Sequence, residues 1–159
     1  MSIGIARLAV IVWATYFGLS AAGIRLKNLP LSLAANTVYF VLAIVLFGYF
    51  ASADPLIATA LLPLAALGCV VQSVGMIQHD RGIQRVALVF FGFFLAVVGS
   101  LLLRADIAPR PIGYALVGAG LASCMLLIPK LPAPMTALAF GIGGLAEGAF
   151  AFWMLVAAP

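Results

Sequence analysis

Residues 86–103 read VALVFFGFFLAVVGSLLL and contain no charged side chain. The hydrocarbon core of a bilayer is about 30 Å thick, and a helix needs about 20 mostly apolar residues to cross it. Stretches of this kind fill most of the 159-residue chain, in which 66% of the residues are hydrophobic and only 8% are charged. A soluble domain of this length has too small an interior to bury so much apolar surface. The composition therefore predicts an integral membrane protein.

Short segments that combine charge with turn-forming residues separate the apolar stretches, and they read RLKNLPLS, SADPL, HDRGIQR, RADIAPRP and PKLPAP. The predicted spans are 3–24, 33–53, 57–78, 86–103, 112–128 and 135–158. Membrane β-strands would alternate polar and apolar residues, whereas these stretches are apolar on every face. We predict an all-α fold, in which residues 1–159 form one domain of six transmembrane helices joined by short loops.

The first span carries Arg7 and the small residues Ser20 and Ala22, which have the spacing of a signal-peptide cleavage site. Its apolar run is longer than the core of a usual signal peptide, so we expect it to form the first helix of the bundle. With six spans, both termini are predicted on the same side of the membrane.

The basic residues are divided unevenly between the two membrane faces that six spans define. One face, called the basic face below, collects Arg25, Lys27, Arg81, Arg85 and Lys130, and the other collects Arg7, Arg104 and Arg110. Because cytoplasmic loops carry an excess of Lys and Arg, this division favours termini that point away from the cytoplasm. These flanking positions account for the net charge of +4, so we expect no nucleic-acid partner.

Small residues recur at intervals of four in five of the six spans, as in Gly92, Ala96 and Ser100 or in Gly144 and Gly148. Such spacing lets helices approach closely, which matters in lipid because burying leucine gains little there. We interpret these faces as packing surfaces of one tight bundle. Cys69 and Cys124 lie inside spans, and we interpret them as packing residues and not as a disulfide or redox pair.

Residues 140–153, FGIGGLAEGAFAFW, contain one acid, Glu147, and no other charge. At a rise of 1.5 Å per residue, Glu147 is predicted roughly 20 Å from the basic face, near the middle of the bilayer. An ionisable group at that depth costs at least a few kcal/mol, which makes it a candidate functional residue. A neutral, hydrogen-bonded structural acid is the alternative. Either role requires Glu147 to face the bundle interior or a contact with another subunit.

Other polar side chains are predicted in a recess that opens on the basic face and has Glu147 at its bottom. The predicted site comprises Glu147, Gln72, Asn36, Tyr39, Ser100 and Tyr114, with His79 and Gln78 at its mouth. Ser100 and Tyr114 are expected at the depth of Glu147, as its hydrogen-bond partners. Hydrogen bonds between helices are the structural alternative for Gln72 and Asn36.

One histidine, four acids and two separated cysteines do not assemble a usual zinc or di-iron site. A catalytic triad would have to use the single His79, and the glycines of GIGGLAEG lie within an apolar span and not in a phosphate-binding loop. We therefore predict no enzymatic activity, no metal and no cofactor; metal-free chemistry by Glu147 with a tyrosine is the alternative. His79 is interpreted as an interfacial residue beside Asp80 and not as a ligand of haem or a pigment.

The second half has a recognisable pattern. Residues 90–121 read FFGFFLAVVGSLLLRADIAPRPIGYALVGAGL. This stretch is predicted to form a helix that ends in Arg, a loop with a Pro-Arg pair and a helix that begins with Ile-Gly. Residues 143–156 read GGLAEGAFAFWMLV. This pattern resembles an uncharacterised family of bacterial multi-pass membrane proteins, defined only as a domain of unknown function. In that family the last helix also carries a Glu ahead of a Trp-Leu-type ending, which corresponds here to Glu147 and Trp153. The resemblance implies a location in the bacterial inner membrane, but no activity or ligand.

Two functions stay open. The protein is expected to bind a lipid or a hydrophobic small molecule, to serve as a subunit of a membrane complex or homo-oligomer, or both. The alternative is a small proton-linked transporter in which Glu147 changes its protonation. Transporters favour two related halves and helices broken near mid-membrane. Neither feature is clear in the sequence, so we prefer the first function.

Overall fold

The computed structural model describes residues 3–128 and 130–156, and within these ranges the chain forms helices and no strand. The helices are α1 (Ile3–Leu26), α2 (Leu29–Phe50), α3 (Pro55–Thr59), α4 (Leu61–Ile77), α5 (Arg81–Ala105), α6 (Arg110–Cys124) and α7 (Ala133–Val156), and a 3₁₀ turn (Met125–Leu127) follows α6. With α3 and α4 taken as one crossing, the described ranges hold six helices long and apolar enough to span a membrane. The predicted all-α membrane bundle is confirmed, while the predicted end of the last span at residue 158 lies outside the described residues.

The third crossing is broken near its start, where α3 and α4 meet at Ala60. Pro63 has no N–H to donate to the carbonyl of Thr59, and its ring crowds that carbonyl, so the helix cannot continue regularly through this turn. At the other end of α3, the Asp54 carboxylate accepts a hydrogen bond of 3.1 Å from the amide of Ile57 and caps the helix.

Two of the turns at the basic face share one backbone geometry. In each, a residue with left-handed backbone ends a helix, the amide of the next residue donates a 2.9 Å hydrogen bond to a carbonyl five residues earlier, and the side chain of that next residue caps the following helix. In the first turn Lys27 has the left-handed backbone, and Asn28 donates to the carbonyl of Gly23 and caps α2. In the second turn His79 has the left-handed backbone, and Asp80 donates to the carbonyl of Gly75 and caps α5. This is a Schellman motif followed at once by an N-cap, and it folds two helices back antiparallel.

The helices form a closed ring, because each packs on its neighbours in the order α1, α2, α4, α5, α6 and α7, and α7 returns to α1. Tyr39 of α2 occupies the centre of this ring. The centroid of its aromatic ring lies 5.0 Å from that of Tyr16 on α1 and 4.7 Å and 5.3 Å from those of Phe91 and Phe94 on α5. The packing of α7 against α1 is sparser than that of the other neighbours.

Candidate ligand-binding site

Glu147 lines a cavity of about 210 Å³ inside the ring of helices. The other polar side chains at this cavity are Tyr16, Tyr39 and Ser123, and α7 contributes Gly143 and Gly144 to its wall. Glu147 is partly buried, so its carboxyl group faces the bundle and the cavity. The two glycines lack side chains, and this is what leaves the space beside the acid empty of protein atoms.

The indole of Trp13 on α1 is a neighbour of the Glu147 carboxyl on α7. At 1.5 Å per residue, Trp13 and Glu147 both lie about 20 Å from the ends of their helices at the basic face. Beyond them, Ala9 of α1 packs near Phe150 and Met154 of α7 around a gap of only about 20 Å³. The Trp13–Glu147 contact therefore marks the point where the packing between α1 and α7 becomes close.

A second, larger recess of about 390 Å³ lies on the side of the basic face. Its polar lining consists of Tyr16, Ser20, Ser32, Asn36, Gln72, Arg81, Gln84 and Arg85. The recess and the Glu147 cavity share Tyr16, Leu88, Phe91 and Phe140 in their walls, so the two spaces adjoin. Together they extend from the basic face to the depth of Glu147.

The amide groups around the recess are mostly engaged. Asn36 Nδ2 donates to Ser73 Oγ at 3.0 Å, and this bond joins α2 to α4. Gln84 Nε2 donates to the carbonyl of Gly75 at 3.0 Å. Gln72 differs, because its Oε1 atom is buried and accepts no hydrogen bond from the described residues.

The two spaces open sideways between α1 and α7. Phe17 and Phe140 stand at this opening with 38% and 52% of their surface exposed. A Cβ atom added to Gly18, Gly143 or Gly144 would meet no atom within 4 Å. We call this opening the α1–α7 cleft; it is closed at Trp13 and Glu147 and widens towards the basic face.

The charges differ between the two ends of the bundle. Away from the basic face, Arg104 pairs with Asp54 at 3.3 Å and Arg110 with Asp106 at 3.6 Å. On the basic face, Asp80 accepts hydrogen bonds from the first amides of α5. Among the residues that the structure describes, neither Arg81 nor Arg85 takes part in an ion pair, so the recess keeps a positive mouth.

The prediction that Ser100 is a partner of Glu147 is wrong. Its hydroxyl donates to the carbonyl of Ala96 at 2.8 Å, and it faces a different groove with Arg104. The predicted fourth span began at residue 86, whereas α5 begins at Arg81. Those five extra residues move Ser100 about 8 Å farther from the basic face than Glu147.

Tyr114 lies at the expected depth but on the wrong side of its helix, since 64% of it is exposed on the outer surface. Neighbouring residues of a helix differ by about 100° in direction, and α6 presents Gly113, Leu116 and Gly120 to the bundle instead. Depth can be counted along a sequence, but the helix face that meets a neighbour cannot.

The mouth predicted at Gln78 and His79 is also misplaced. Both residues are exposed in the turn after α4, where His79 has a φ of 54°, and neither lines the recess. The lining at that end comes from Arg81 and Arg85, because α5 begins directly after its Asp80 cap. The role of His79 in the structure is to supply the left-handed position of the turn.

The structure brings Asn36, Gln72 and Tyr39 together around the adjoining spaces that end at Glu147. Sequence reasoning missed Trp13, Arg81 and Arg85. A signal for Trp13 was available, since its depth equals that of Glu147 and few other N–H donors lie there. The two arginines were interpreted only as residues that flank the membrane. No group of three or more His, Cys, Asp or Glu residues that could hold a metal ion occurs in the described ranges.

In residues 3–128 and 130–156, six helices long and apolar enough to cross a membrane, joined by short turns, indicate an integral membrane protein. The family model of the domain of unknown function DUF4386 matches residues 77–158, just over half of the chain. The chain belongs to this family, which confirms the resemblance inferred from residues 90–156. The match includes Glu147 but not Trp13, Asn36 or Tyr39. No curated protein and no solved structure matches the chain.

Proposed function

We propose that the protein is a non-catalytic membrane protein, located in a bacterial inner membrane, that binds a lipid or a hydrophobic small molecule in the α1–α7 cleft. One observation carries the proposal: a cavity beside Glu147 that adjoins the recess at the basic face and opens sideways between α1 and α7. Ligand cavities in membrane bundles lie between helices, and this one opens where lipid chains are the surrounding solvent.

The glycines of α7 support this proposal, because they leave room where other pairs of helices in the bundle are in contact. A Cβ atom at Gly143 or Gly144 would meet nothing within 4 Å. Empty space inside a protein forfeits dispersion contacts. A bound hydrophobic chain would make those contacts. The packing of α1 against α7 alone does not make them.

The test is the amount of lipid that the protein retains after purification in a mild detergent, measured by native mass spectrometry. Gly143→Phe places a ring in the cavity, and Gly118→Phe is its matched control. Gly118 is a helical glycine with nothing within 4 Å of an added Cβ, but it lies exposed on α6, away from the cleft. We expect wild type and Gly118→Phe to retain a bound molecule and Gly143→Phe to lose it. Equal retention by all three proteins, or none by wild type, would overturn the proposal.

A helix of another subunit is the competing occupant of the cleft. If a helix of another subunit fills the cleft, Gly143→Phe should change the mass of the protein complex and leave its lipid content unchanged. The same spectra report both quantities, so the two occupants give different results.

A second candidate function is proton-linked transport, favoured by the position of Glu147 at the end of two spaces that adjoin the basic face. Beyond Glu147, however, the neighbouring gap is lined only by apolar residues and Trp13. Glu147→Gln keeps the shape of the side chain but cannot ionise. A proton flux into liposomes that wild type supports and this variant lacks would establish transport; unchanged ligand retention without any flux would favour binding.

A further inference from the structure

The mouth of the recess has the charge of an anion-binding site. Arg81 and Arg85 lie four residues apart on α5 and both line the recess, so their side chains leave the same face of the helix. No carboxylate lines this recess, and the nearest acid in sequence, Asp80, is occupied as the cap of α5. Arginine binds phosphate through charge-assisted hydrogen bonds, often in pairs.

The apolar part of the site continues from this polar mouth. The recess shares Leu88, Phe91 and Phe140 with the Glu147 cavity, and that cavity opens along the α1–α7 cleft. A phospholipid carries its head group and phosphate at one end and its long acyl chains at the other. Its phosphate would stand at the membrane surface, where α5 begins, and its chain would run towards mid-membrane.

We propose that the ligand is an anionic phospholipid. Its phosphate binds Arg81 and Arg85, and one acyl chain lies in the α1–α7 cleft. The inference rests on the proposed function and specifies its ligand. Glu147 does not contact the head group in this arrangement; it lies beside Trp13 at the closed end of the cleft.

The experiment compares purified proteins in vesicles or nanodiscs that contain phosphatidylglycerol, phosphatidylmethanol or phosphatidylcholine in a fixed background. Phosphatidylmethanol keeps the phosphate charge but has no head-group hydroxyl. The double variant Arg81→Gln, Arg85→Gln is matched by Arg25→Gln, Lys27→Gln, which removes the same charge from the same face outside the recess.

We expect wild type and the matched control to prefer phosphatidylglycerol over phosphatidylcholine by about tenfold, the effect of one hydrogen bond to a charged group. The Arg81 and Arg85 double variant should lose this preference and still bind lipid chains. Wild type should bind phosphatidylmethanol as well as phosphatidylglycerol, because the two lipids carry the same phosphate charge. Folding of each variant is checked by its thermal unfolding in detergent.

Three results would overturn the inference. One is bound lipid in wild type without a head-group preference, which leaves the proposed binding function intact. Another is an equal loss of preference in the matched control, which would show a general surface charge effect. The third is displacement of phosphatidylglycerol by millimolar inorganic phosphate, which would identify a site for the free anion. Absence of any bound lipid in wild type would instead remove the proposed function itself.

Discussion

The α5–α6 pair and the α1–α7 pair carry the same kind of glycine-rich sequence and use it in opposite ways. Between α5 and α6, a Cβ at Gly99 would lie 2.6 Å from the carbonyl oxygen of Gly113, and one at Gly92 would lie 2.8 Å from that of Gly120. At the α1–α7 cleft, a Cβ at Gly143 or Gly144 would meet nothing within 4 Å. Glycine thus permits backbone contact in one place and keeps space open in the other.

This difference separates a structural interface from a candidate site. Close approach of α5 and α6 gains van der Waals contact, which drives helix association in lipid. The α1 and α7 helices do not make this close contact along half of their length, although α7 has glycines that would permit it. We interpret the space left between them as the place of a ligand chain.

The largest effect that this comparison predicts is for Gly120→Ala on α6. The new methyl group would overlap the carbonyl oxygen of Gly92 and lie 2.8 Å from the Cβ of Ala96, and backbone atoms cannot rotate away. We expect the free energy of unfolding to fall by about 1–3 kcal/mol, as for other overpacked cores. Thermal unfolding in a mild detergent measures the change, and a variant as stable as wild type would show that α5 and α6 pack less closely than described.

A smaller effect is expected for Gly113→Ala on the same interface. Its methyl group would lie 2.6 Å from Cγ of Leu103 and 3.1 Å from the carbonyl oxygen of Gly99. Because the Leu103 side chain can change rotamer, the free energy of unfolding should fall by less than about 1.5 kcal/mol, which is the energy of an off-rotamer side chain. The same unfolding assay ranks it against Gly120→Ala. A reversed ranking would mean that side chains and not backbone contact limit the approach of these helices.

The smallest effect, with the opposite sign, is expected for Gly144→Ala in the cleft. The methyl group meets no atom, and alanine loses less backbone freedom than glycine on folding, which stabilises a helix by about 0.4–1 kcal/mol. We therefore expect an unchanged or slightly raised unfolding temperature. Gly118→Ala on the outer face of α6 is the control, with the same expectation. Destabilisation by Gly144→Ala alone would indicate that α7 packs against something at this position in the membrane.

The sequence predicted the number of crossings, because the length and composition of an apolar run are set directly by the bilayer. It also placed Asn36, Gln72 and Tyr39 in the half of the bundle nearer the basic face, because depth follows from counting 1.5 Å per residue. Ser100 was misplaced since α5 extends five residues beyond its apolar run, to the Asp80 cap. An apolar stretch gives the part of a helix that lies in lipid, and the cap gives its true start.

Direction around a helix was harder to predict than depth. Tyr114 and Trp13 both lie near the depth of Glu147, yet Tyr114 faces outwards and Trp13 meets the acid. Which of them faces inwards depends on where the helices stand in the ring, and nearly every face of these helices is apolar. The glycines have the same ambiguity, since their spacing is alike in the tight and the open pair of helices.

The most direct test of the account is an experimental structure in a bilayer that contains phosphatidylglycerol with brominated acyl chains, located by the anomalous signal of bromine. We predict bromine inside the α1–α7 cleft, between Phe17 and Phe140 and extending towards Glu147, with phosphate density at Arg81 and Arg85. A cleft closed by direct contact between α1 and α7, with Gly144 buried against α1 and bromine only on the outer surface, would contradict the account.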